Sequence, residues 1–534
     1  MPLEFPIPLS TRAKGFVLTT SPHPPQAMVS LQRLKQSRVA RNAAASYFAF
    51  VSTAACGLLS IPVAVAFLGK EQIGLWAVVN SILSYLMWMD LGIGSATGRK
   101  MADAISAKDQ SEIDKWWTAT RAALMLQGII LGIIGLAGIP LFLGLFNIGG
   151  SIRGQAVELI AGSVLLTALS MPLRGVPGLL TAQQRFHWIP LSQGFIPWLQ
   201  LLVFFLLLRN GWGIRSYLFS MAAVQGCTWI YFLILIRTSE QVPRWNRQGL
   251  EKSRFRSLFG FSLNISFLAI IEAILTSLPT LLLSRFAGLS SVPLYTFTAK
   301  AAMLVTSLVR RTYHAFYPQM LRLHVDGKKE AFRQKHDIVG RLMLAIGLAA
   351  ASAVLLFNRT IVELLAGADF YAGGMTTAWM ALGILVTPLS GLFESLVQFS
   401  GSMGKSSLVA LTKLATGVVG AWLAYRGFGI SGVAAVFALL PLIYATYGYF
   451  RGALRCGYQP GELSARVARM ALMTGALFIS VGWLASQSDS SPTHWNVLNR
   501  QLAIPDPTTA AAVATLIALA SWIGWKAAKD LKAT

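Results

Sequence analysis

The sequence predicts an all-α protein that crosses a membrane about fourteen times. Of its 534 residues, 54% are hydrophobic and only 12% are charged, whereas soluble domains carry about 25% charged residues. The apolar residues form runs of about 20, which is the length that one membrane-spanning helix needs. Lys and Arg collect in alternate connections between these runs. These three observations indicate a polytopic membrane protein.

The segment before the first apolar run, residues 1–41, is rich in proline and lacks the apolar core and cleavage site of a signal peptide. We expect a disordered cytosolic tail, because it contains too little apolar surface to pack. Met28 opens a basic run directly before the first span and is a second candidate start.

Fourteen segments are long and apolar enough to span a bilayer as helices. The third contains Arg121, and the eighth contains Lys300, Arg310 and Arg311. Numbered in chain order, the predicted spans are 43–68, 72–95, 116–146, 156–181, 189–208, 216–236, 257–284, 291–316, 338–358, 375–398, 406–425, 430–450, 467–486 and 509–527.

The distribution of Lys and Arg predicts which connections face the cytosol. With the N-terminus inside, the inner segments hold 33 of the 45 Lys and Arg residues and the outer connections hold 8. Cytosolic loops carry an excess of cations, so we expect both termini in the cytosol. The net charge of +24 then indicates contact with anionic lipid rather than with nucleic acid.

An internal repeat predicts two lobes. AFLGKEQIGLW at 66–76 aligns with RFAGLSSVPLY at 285–295, and MPLRG at 171–175 aligns with TPLSG at 387–391. The offsets of 219 and 216 residues correspond to six spans, an even number, so both copies enter the membrane in the same direction. The predicted units are a tail at 1–41, an N-lobe of spans 1–6 at 42–236, a basic cytosolic linker at 237–256, a C-lobe of spans 7–12 at 257–450, and spans 13 and 14 with the C-terminus at 451–534.

Two glycine-containing motifs resemble nucleotide loops but do not fit them. GIGSATG at 92–98 ends a predicted span, whereas a dinucleotide loop follows a strand within a βαβ unit. SGSMGKSS at 400–407 has Phe399 where a phosphate-binding loop requires glycine. Small residues also allow helix ends to pack closely, and we favour that interpretation for both motifs.

The cysteine and histidine residues predict neither a disulfide framework nor a metal site. The three cysteines are far apart in the chain, two of them inside apolar runs, and the six histidines form no metal-ligand spacing. We therefore expect no metal and no cofactor.

Charged residues inside the spans are the candidate functional residues, because a charge in the bilayer interior usually faces protein or water. At about 1.5 Å per residue, Glu272 lies roughly 22 Å from the inner end of span 7, and Lys300 lies roughly 14 Å from the outer end of span 8. Both depths are near the middle of a core of about 30 Å, so we expect an acid–base pair there.

The other charges inside spans form a predicted ring within roughly 10 Å of the cytosolic side. The open alternative is that they extend to the interface or form salt bridges between helices. The members of this ring are Asp90, Arg121, Arg174, Glu394 and Lys413.

Two sequence stretches carry a family resemblance, EQIGLWAVVNSILSYLMWMDLGIGSATGRKMA at 71–102 and YTFTAKAAMLVTSLV in span 8. With the plan of 12 to 14 spans, they resemble the polysaccharide branch of the multidrug/oligosaccharidyl-lipid/polysaccharide (MOP) exporter superfamily, to which O-antigen flippases belong. The resemblance implies two six-helix lobes around a central cavity lined by spans 1, 2, 7 and 8.

The resemblance also implies an activity. It implies an ion-coupled transporter of the bacterial inner membrane, and not an enzyme, that flips a polyprenyl-pyrophosphate-linked oligosaccharide to the outer leaflet for surface polysaccharide such as lipopolysaccharide. The implied partners are this lipid-linked oligosaccharide, membrane lipids and a polysaccharide polymerase. A proton or sodium gradient would supply the energy.

A pyrophosphate head group needs Lys or Arg partners, and a carboxylate inside the membrane is a suitable proton carrier. The candidate substrate-binding residues are Lys300, Arg174, Arg121, Arg310, Arg311 and Arg99. The candidate ion-coupling residues are Glu272, Asp90 and Glu394.

Two other functions stay open at this point. A drug exporter of the same superfamily would usually carry cations, which the basic candidates in the cavity disfavour. A membrane-embedded polysaccharide polymerase or ligase would present catalytic residues on a large outer loop, and the longest predicted one, 487–508, holds a single His.

Overall fold

A computed structural model of the chain is almost entirely helical. It describes residues 26–88, 92–239, 241–399, 406–443, 456, 458, 493–497 and 500–504, and the structural statements below concern these residues. The helices are α1 Gln26–Phe67, α2 Lys70–Trp88, α3 Ile93–Ser106, α4 Gln110–Ala137, α5 Ile139–Leu145, α6 Arg153–Ser170, α7 Val176–Ala182, α8 Trp188–Arg209, α9 Arg215–Arg237, α10 Lys252–Ala287, α11 Val292–Val325, α12 Lys329–Leu365, α13 Gly374–Phe399 and α14 Ser406–Leu439.

The all-α fold class is confirmed, and the chain is a multi-pass membrane protein. Within the described residues, ten helical segments are long and apolar enough to cross a membrane. The predicted number of fourteen is not confirmed. Spans 13 and 14 lie outside the described residues.

Two predicted spans are each divided into two helices. Span 3 forms α4 and α5, with Pro140 in the first turn of α5. Span 4 forms α6 and α7, separated by the 3-10 turn Met171–Leu173. Proline lacks a backbone N–H and clashes with the preceding turn of a helix, so it interrupts an apolar run that hydropathy treats as continuous.

Predicted spans 11 and 12 are the two arms of α14. Gly429 has φ 58° and ψ −138°, a backbone conformation that favours glycine. On either side of it the arms pack against each other: a Cβ on Gly420 would lie 3.3 Å from the Val436 side chain, and a Cβ on Gly432 would collide with the Ala424 carbonyl oxygen. The turn at Gly429 therefore makes α14 a tight helical hairpin.

The GIGSATG motif is a helix-packing site. It follows α2 rather than a strand, and Gly92, with φ 66°, immediately precedes α3. A Cβ on Gly98 would lie 3.2 Å from the carbonyl oxygen of Gly178 in α7, and a Cβ on Gly178 would collide with the Gly94 carbonyl oxygen. The close-packing interpretation is thereby confirmed for this motif. Most of the second motif, 400–405, lies outside the described residues.

A two-stranded antiparallel hairpin is the described exception to the helical architecture. Strand β1 is Thr493–Val497 and strand β2 is Arg500–Ile504, with Thr493 opposite Ile504. Both strands lie in the predicted outer loop 487–508.

We refer to α1–α9 as the N-half and to α10–α14 as the C-half. At the predicted outer end, α2 packs against α10 and against the 3-10 turn Leu289–Ser291. At the opposite end, α10 packs against α3 and α4, where Arg254 forms two 2.9 Å hydrogen bonds to the Glu112 carboxylate. The lobe boundaries stay a prediction.

Candidate functional site

A cavity of about 530 Å³ lies between the two halves. We call it the central cavity. Helices α1, α2, α8 and α9 of the N-half line it, together with α10 and α11 of the C-half. These include the helices of predicted spans 1, 2, 7 and 8, while α8 and α9 were not expected there. Its lining includes the neutral polar residues Thr53, Ser60, Asn80, Gln200, Ser220 and Thr276.

Lys300 is the cation of the central cavity. It lies on α11, and its Nζ would be 3.5 Å from a Cβ on Gly57 of α1. Among the described residues, Lys300 has neither a hydrogen-bond nor an ion-pair partner, and no Asp or Glu lines this cavity. The Lys300 side chain is half-buried, and partial burial of an unpaired ion is unfavourable. The described cavity thus holds a positive charge that its own lining does not neutralise.

The N-half wall of the central cavity combines aromatic rings with an oriented amide. Tyr217 Oη donates a 2.5 Å hydrogen bond to Asn80 Oδ1, and Asn80 Nδ2 donates a 3.0 Å bond to the Trp76 carbonyl oxygen. The rings of Trp76 and Tyr217 are 5.7 Å apart, and Phe204 packs against both. Such a wall suits a polar, uncharged ligand that carries many hydroxyl groups.

The predicted pair between Glu272 and Lys300 is wrong. Lys413 Nζ donates a 2.6 Å hydrogen bond to Glu272 Oε1 instead. Glu272 and Lys413 line a second cavity of about 310 Å³ between α10, α11, α13 and α14, which we call the C-half cavity. The sequence had placed Lys413 in the ring near the cytosolic side and Glu272 near the middle of the bilayer, so the estimate of depth from helix position had separated the two residues that pair. Depth along a helix also does not say which side chains meet when the helices pack.

Glu394 and Arg310 complete a cluster with this ion pair. They line a further cavity of about 310 Å³ together with Tyr313 and Tyr317, and Arg310 also lines the C-half cavity. The charges of Glu272, Lys413 and Arg310 act on the Glu394 carboxyl group. We call Glu272, Arg310, Glu394 and Lys413 the C-half charge cluster.

The remaining cationic candidates lie outside the lining of these three cavities. The guanidinium group of Arg311 lies 4.3 Å from the centre of the Phe50 ring, and that of Arg121 lies 5.8 Å from the centre of the Trp117 ring. In the described part of the chain, Arg121 Nε is buried without a hydrogen-bond partner. Stacking on aromatic rings is a favourable structural role for arginine.

The other candidates lie nearer the predicted cytosolic end. Arg174 is half-buried in the turn between α6 and α7, and Arg99 is exposed on α3. Asp90 lies outside the described residues. The described residues contain no group of three His, Cys, Asp or Glu that could hold a metal ion.

Sequence reasoning missed the neutral residues of the central cavity. Asn80, Gln200 and Cys56 line it, but none of them carries the charge by which a membrane-embedded functional residue is recognised. The sequence contained one signal for the N-half wall of this cavity. Asn80 follows Trp76 by four residues, so the two side chains lie on the same face of one helix.

Comparisons with known proteins agree with this architecture. Residues 39–324 match the family model described as Polysaccharide biosynthesis protein, which is more than half of the 534-residue chain. No curated protein matches the chain.

Several solved structures share the fold. One, described as the inward-facing conformation of a multidrug resistance MATE family transporter of the MOP superfamily, is 15% identical with a TM-score of 0.62, and the match covers 77% of this chain and 96% of that one. Its outward-facing counterpart is 16% identical with a TM-score of 0.54, covering 78% and 95%.

A third similar structure is a MOP superfamily transporter from Pyrococcus furiosus, described as having a binding pocket of reverse polarity that suggests a different function. It is 16% identical with a TM-score of 0.51, covering 78% of this chain and 95% of that one.

Proposed function

The chain belongs to the Polysaccharide biosynthesis protein family, and from this membership and its MOP-transporter fold we propose that it flips a polyprenyl-pyrophosphate-linked oligosaccharide across the bacterial inner membrane. The direction is from the cytosolic to the outer leaflet, for surface polysaccharide synthesis. Both termini would lie in the cytosol. The halves would alternate access to the central cavity, driven by a proton or sodium gradient, with a polysaccharide polymerase as a downstream partner.

The observation that carries this proposal is the unneutralised ammonium group of Lys300 in the central cavity. A pyrophosphate is the part of such a substrate that needs a desolvated cation, and it would supply the counter-charge that the described lining lacks. Binding would therefore recover part of the cost of holding the half-buried Lys300 without a counter-charge. The head group and Lys300 would supply the two charges of one ion pair.

The rest of the cavity suits the rest of the substrate. Sugars would contact the amide of Asn80, the hydroxyl of Tyr217 and the ring of Trp76, all of which line the central cavity. The polyprenyl chain is apolar and can remain in the lipid between the halves, since burial in lipid costs it nothing. No bond is made or broken, so the proposed process requires no catalytic residue.

The C-half charge cluster is the proposed site of ion coupling. Glu272 is held by Lys413 at 2.6 Å, so coupling through it would require that pair to separate. Glu394 makes no ion pair with a described residue and can exchange a proton without breaking one. Asp90 stays a third candidate. Substitution of Glu394 by glutamine should slow transport and change its pH profile.

A drug exporter of the same superfamily remains the second candidate. Its usual substrates are cations, which Lys300 would repel from the central cavity. The match to the Polysaccharide biosynthesis protein family also favours the lipid-linked glycan. A polymerase or ligase is a weaker third candidate, because the predicted outer loop 487–508 holds a single His.

The proposal is tested by restoring surface polysaccharide in a strain that lacks this protein. Lys300→Met should abolish restoration, and Lys300→Arg should keep part of it, because guanidinium also pairs with phosphate but differs in shape. Arg153→Met, at an exposed position on α6, is the matched control and should restore polysaccharide fully.

The double variant Lys300→Met with Glu272→Gln tests the alternative in which Lys300 only balances the charge of Glu272, and recovery of activity would support that alternative. Because Glu272 pairs with Lys413 and not with Lys300, removing both charges should not rescue activity. Membrane levels of every variant are measured alongside. Full restoration by Lys300→Met, at a normal membrane level, would remove Lys300 from the substrate site.

A further inference from the structure

The two copies of the repeated sequence meet at the predicted outer end of the molecule. The first copy, 66–76, forms the connection from α1 to α2, and the second, 285–295, forms the connection from α10 to α11. Gly74 of the first copy lies against Leu289 of the second so closely that a Cβ on Gly74 would lie 2.7 Å from the Leu289 carbonyl carbon and would collide with its oxygen. Only glycine fits this contact without moving backbone.

A second contact between the halves lies beside the first. Lys70 Nζ donates a 3.3 Å hydrogen bond to the Asp369 carbonyl oxygen and lies 5.2 Å from the centre of the Phe370 ring. Asp369 and Phe370 belong to the loop between α12 and α13. The end of that loop is held to α11, because the Ala372 N–H donates a 3.0 Å bond to Thr298 Oγ1. Lys70 therefore connects the N-half to a well-anchored loop of the C-half.

The central cavity begins directly below these contacts. Ile73, which is fully buried and one residue before Gly74, lines it, and so does Phe297, whose ring lies 5.6 Å from that of Phe370. A substrate in the cavity would therefore reach the outer side only if these contacts separate.

We propose that the repeated sequence forms the outer gate, in which Gly74 closes on Leu289 and Lys70 closes on the loop at Asp369 and Phe370. The gate rests on the alternating access of the proposed function. The gate would give the repeated sequence a function in addition to marking the duplication of the lobes. Gly74 and Lys70 are positioning residues, since they set the balance between closed and open states without contacting the substrate.

The native thiol of Cys56 is a reporter for the gate, because Cys56 lines the central cavity. Cys227→Ala and Cys456→Ala leave it as the single cysteine of the three in the chain. Intact cells are treated with a membrane-impermeant thiol reagent, and the rate of labelling measures access from outside. Ser60→Cys, with Cys56→Ala, gives a second reporter in the same cavity.

Gly74→Ala should raise the labelling rate of both reporters roughly tenfold, because its methyl group meets backbone that cannot yield and so destabilises the closed state. Lys70→Met should raise the rate about threefold, as expected for loss of one exposed cation–π contact. Gly69→Ala is the matched control: it lies in the same connection, a Cβ there meets nothing within 4 Å, and the rate should not change.

Equal labelling rates for Gly74→Ala and Gly69→Ala with both reporters would overturn the gate. If Gly74→Ala does not reach the membrane, the gate is tested with a second variant, in which the native cysteines are removed and Lys70→Cys and Asp369→Cys are introduced on its two sides. A flexible, cleavable thiol crosslinker should then abolish polysaccharide restoration, and its cleavage should return it. Restoration that survives crosslinking overturns the gate.

The labelling rate measures access to the cavity and does not depend on transport of any substrate, so it separates the gate from the proposed function. Labelling that responds to Gly74→Ala in a protein that does not restore polysaccharide supports the gate and contradicts the proposed substrate. Restoration of polysaccharide together with a labelling rate that does not respond to Gly74→Ala contradicts the gate and leaves the substrate proposal intact.

Discussion

Exchange of Glu272 for glutamine should destabilise the protein more than exchange of its partner Lys413 for methionine. The two side chains form one ion pair with a 2.6 Å contact, but their environments differ: the Lys413 side chain is 8% exposed and that of Glu272 is 47% exposed. Loss of the partner of a buried charge costs about 3–5 kcal/mol, whereas a solvated charge that loses its partner costs about 0–1 kcal/mol.

The expected loss of stability differs strongly between the two single variants. Glu272→Gln leaves a buried ammonium opposite an amide that can still accept one hydrogen bond, so we expect a loss of about 2–3 kcal/mol. Lys413→Met leaves a carboxylate that water in the C-half cavity can solvate, so we expect a loss below about 1 kcal/mol. The double variant should resemble Lys413→Met, because the buried ammonium group is absent from both.

The assay is thermal unfolding of the purified protein in one detergent, with all three variants and the parent measured at the same pH. The free energy of unfolding should be highest for the parent, lower and similar for Lys413→Met and the double variant, and lowest for Glu272→Gln. Equal destabilisation by the two single variants, or a double variant less stable than Glu272→Gln, would refute the reasoning from burial.

Three further predictions concern other parts of the chain. Arg254→Ala should destabilise the protein by about 1–3 kcal/mol in the same unfolding assay, because it breaks a two-point bond to Glu112 at a partly buried site; an unchanged midpoint would contradict this. Burial raises the pKa of the Cys456 thiol to about 11, so at pH 8 roughly one molecule in a thousand carries the thiolate, and alkylation should be slow until the protein is denatured; rapid alkylation of the folded protein would show that the thiol is accessible. Reporter fusions after Asp337 should read cytosolic and those near Gly150 external, and the reverse pattern would invert the charge argument for topology.

The sequence predicts the helices well and their interruptions poorly. Hydropathy identified the segments that became α8, α9 and α13, because each is one uninterrupted apolar run. It did not separate α4 from α5 or α6 from α7, since glycine and proline are compatible with a hydrophobic window while they break the helix. The hairpin turn of α14 was anticipated as a boundary between two spans.

The candidate site was predicted in part. Lys300 was identified as a deep cation from its position in span 8, and the structure places it in the central cavity. Its predicted pairing with Glu272 failed, because the depth estimate had placed Lys413, the observed partner of Glu272, near the cytosolic side, and because the direction of a side chain depends on how the helices pack. Asn80 and Tyr217 were missed, since neutral polar groups do not stand out in a membrane span.

The measurement that tests the account most directly is flipping by the purified protein in liposomes. A short-chain polyprenyl-pyrophosphate-linked sugar with a fluorescent label is placed in one leaflet, and its appearance in the other is followed under an imposed proton or sodium gradient. The parent and the Arg153→Met control should move it, Lys300→Met should not, and an analogue without phosphate should not be moved by any of them. Movement of the pyrophosphate-linked sugar by Lys300→Met at the rate of the control, or equal movement of the analogue without phosphate, would contradict the proposal that Lys300 binds the head group.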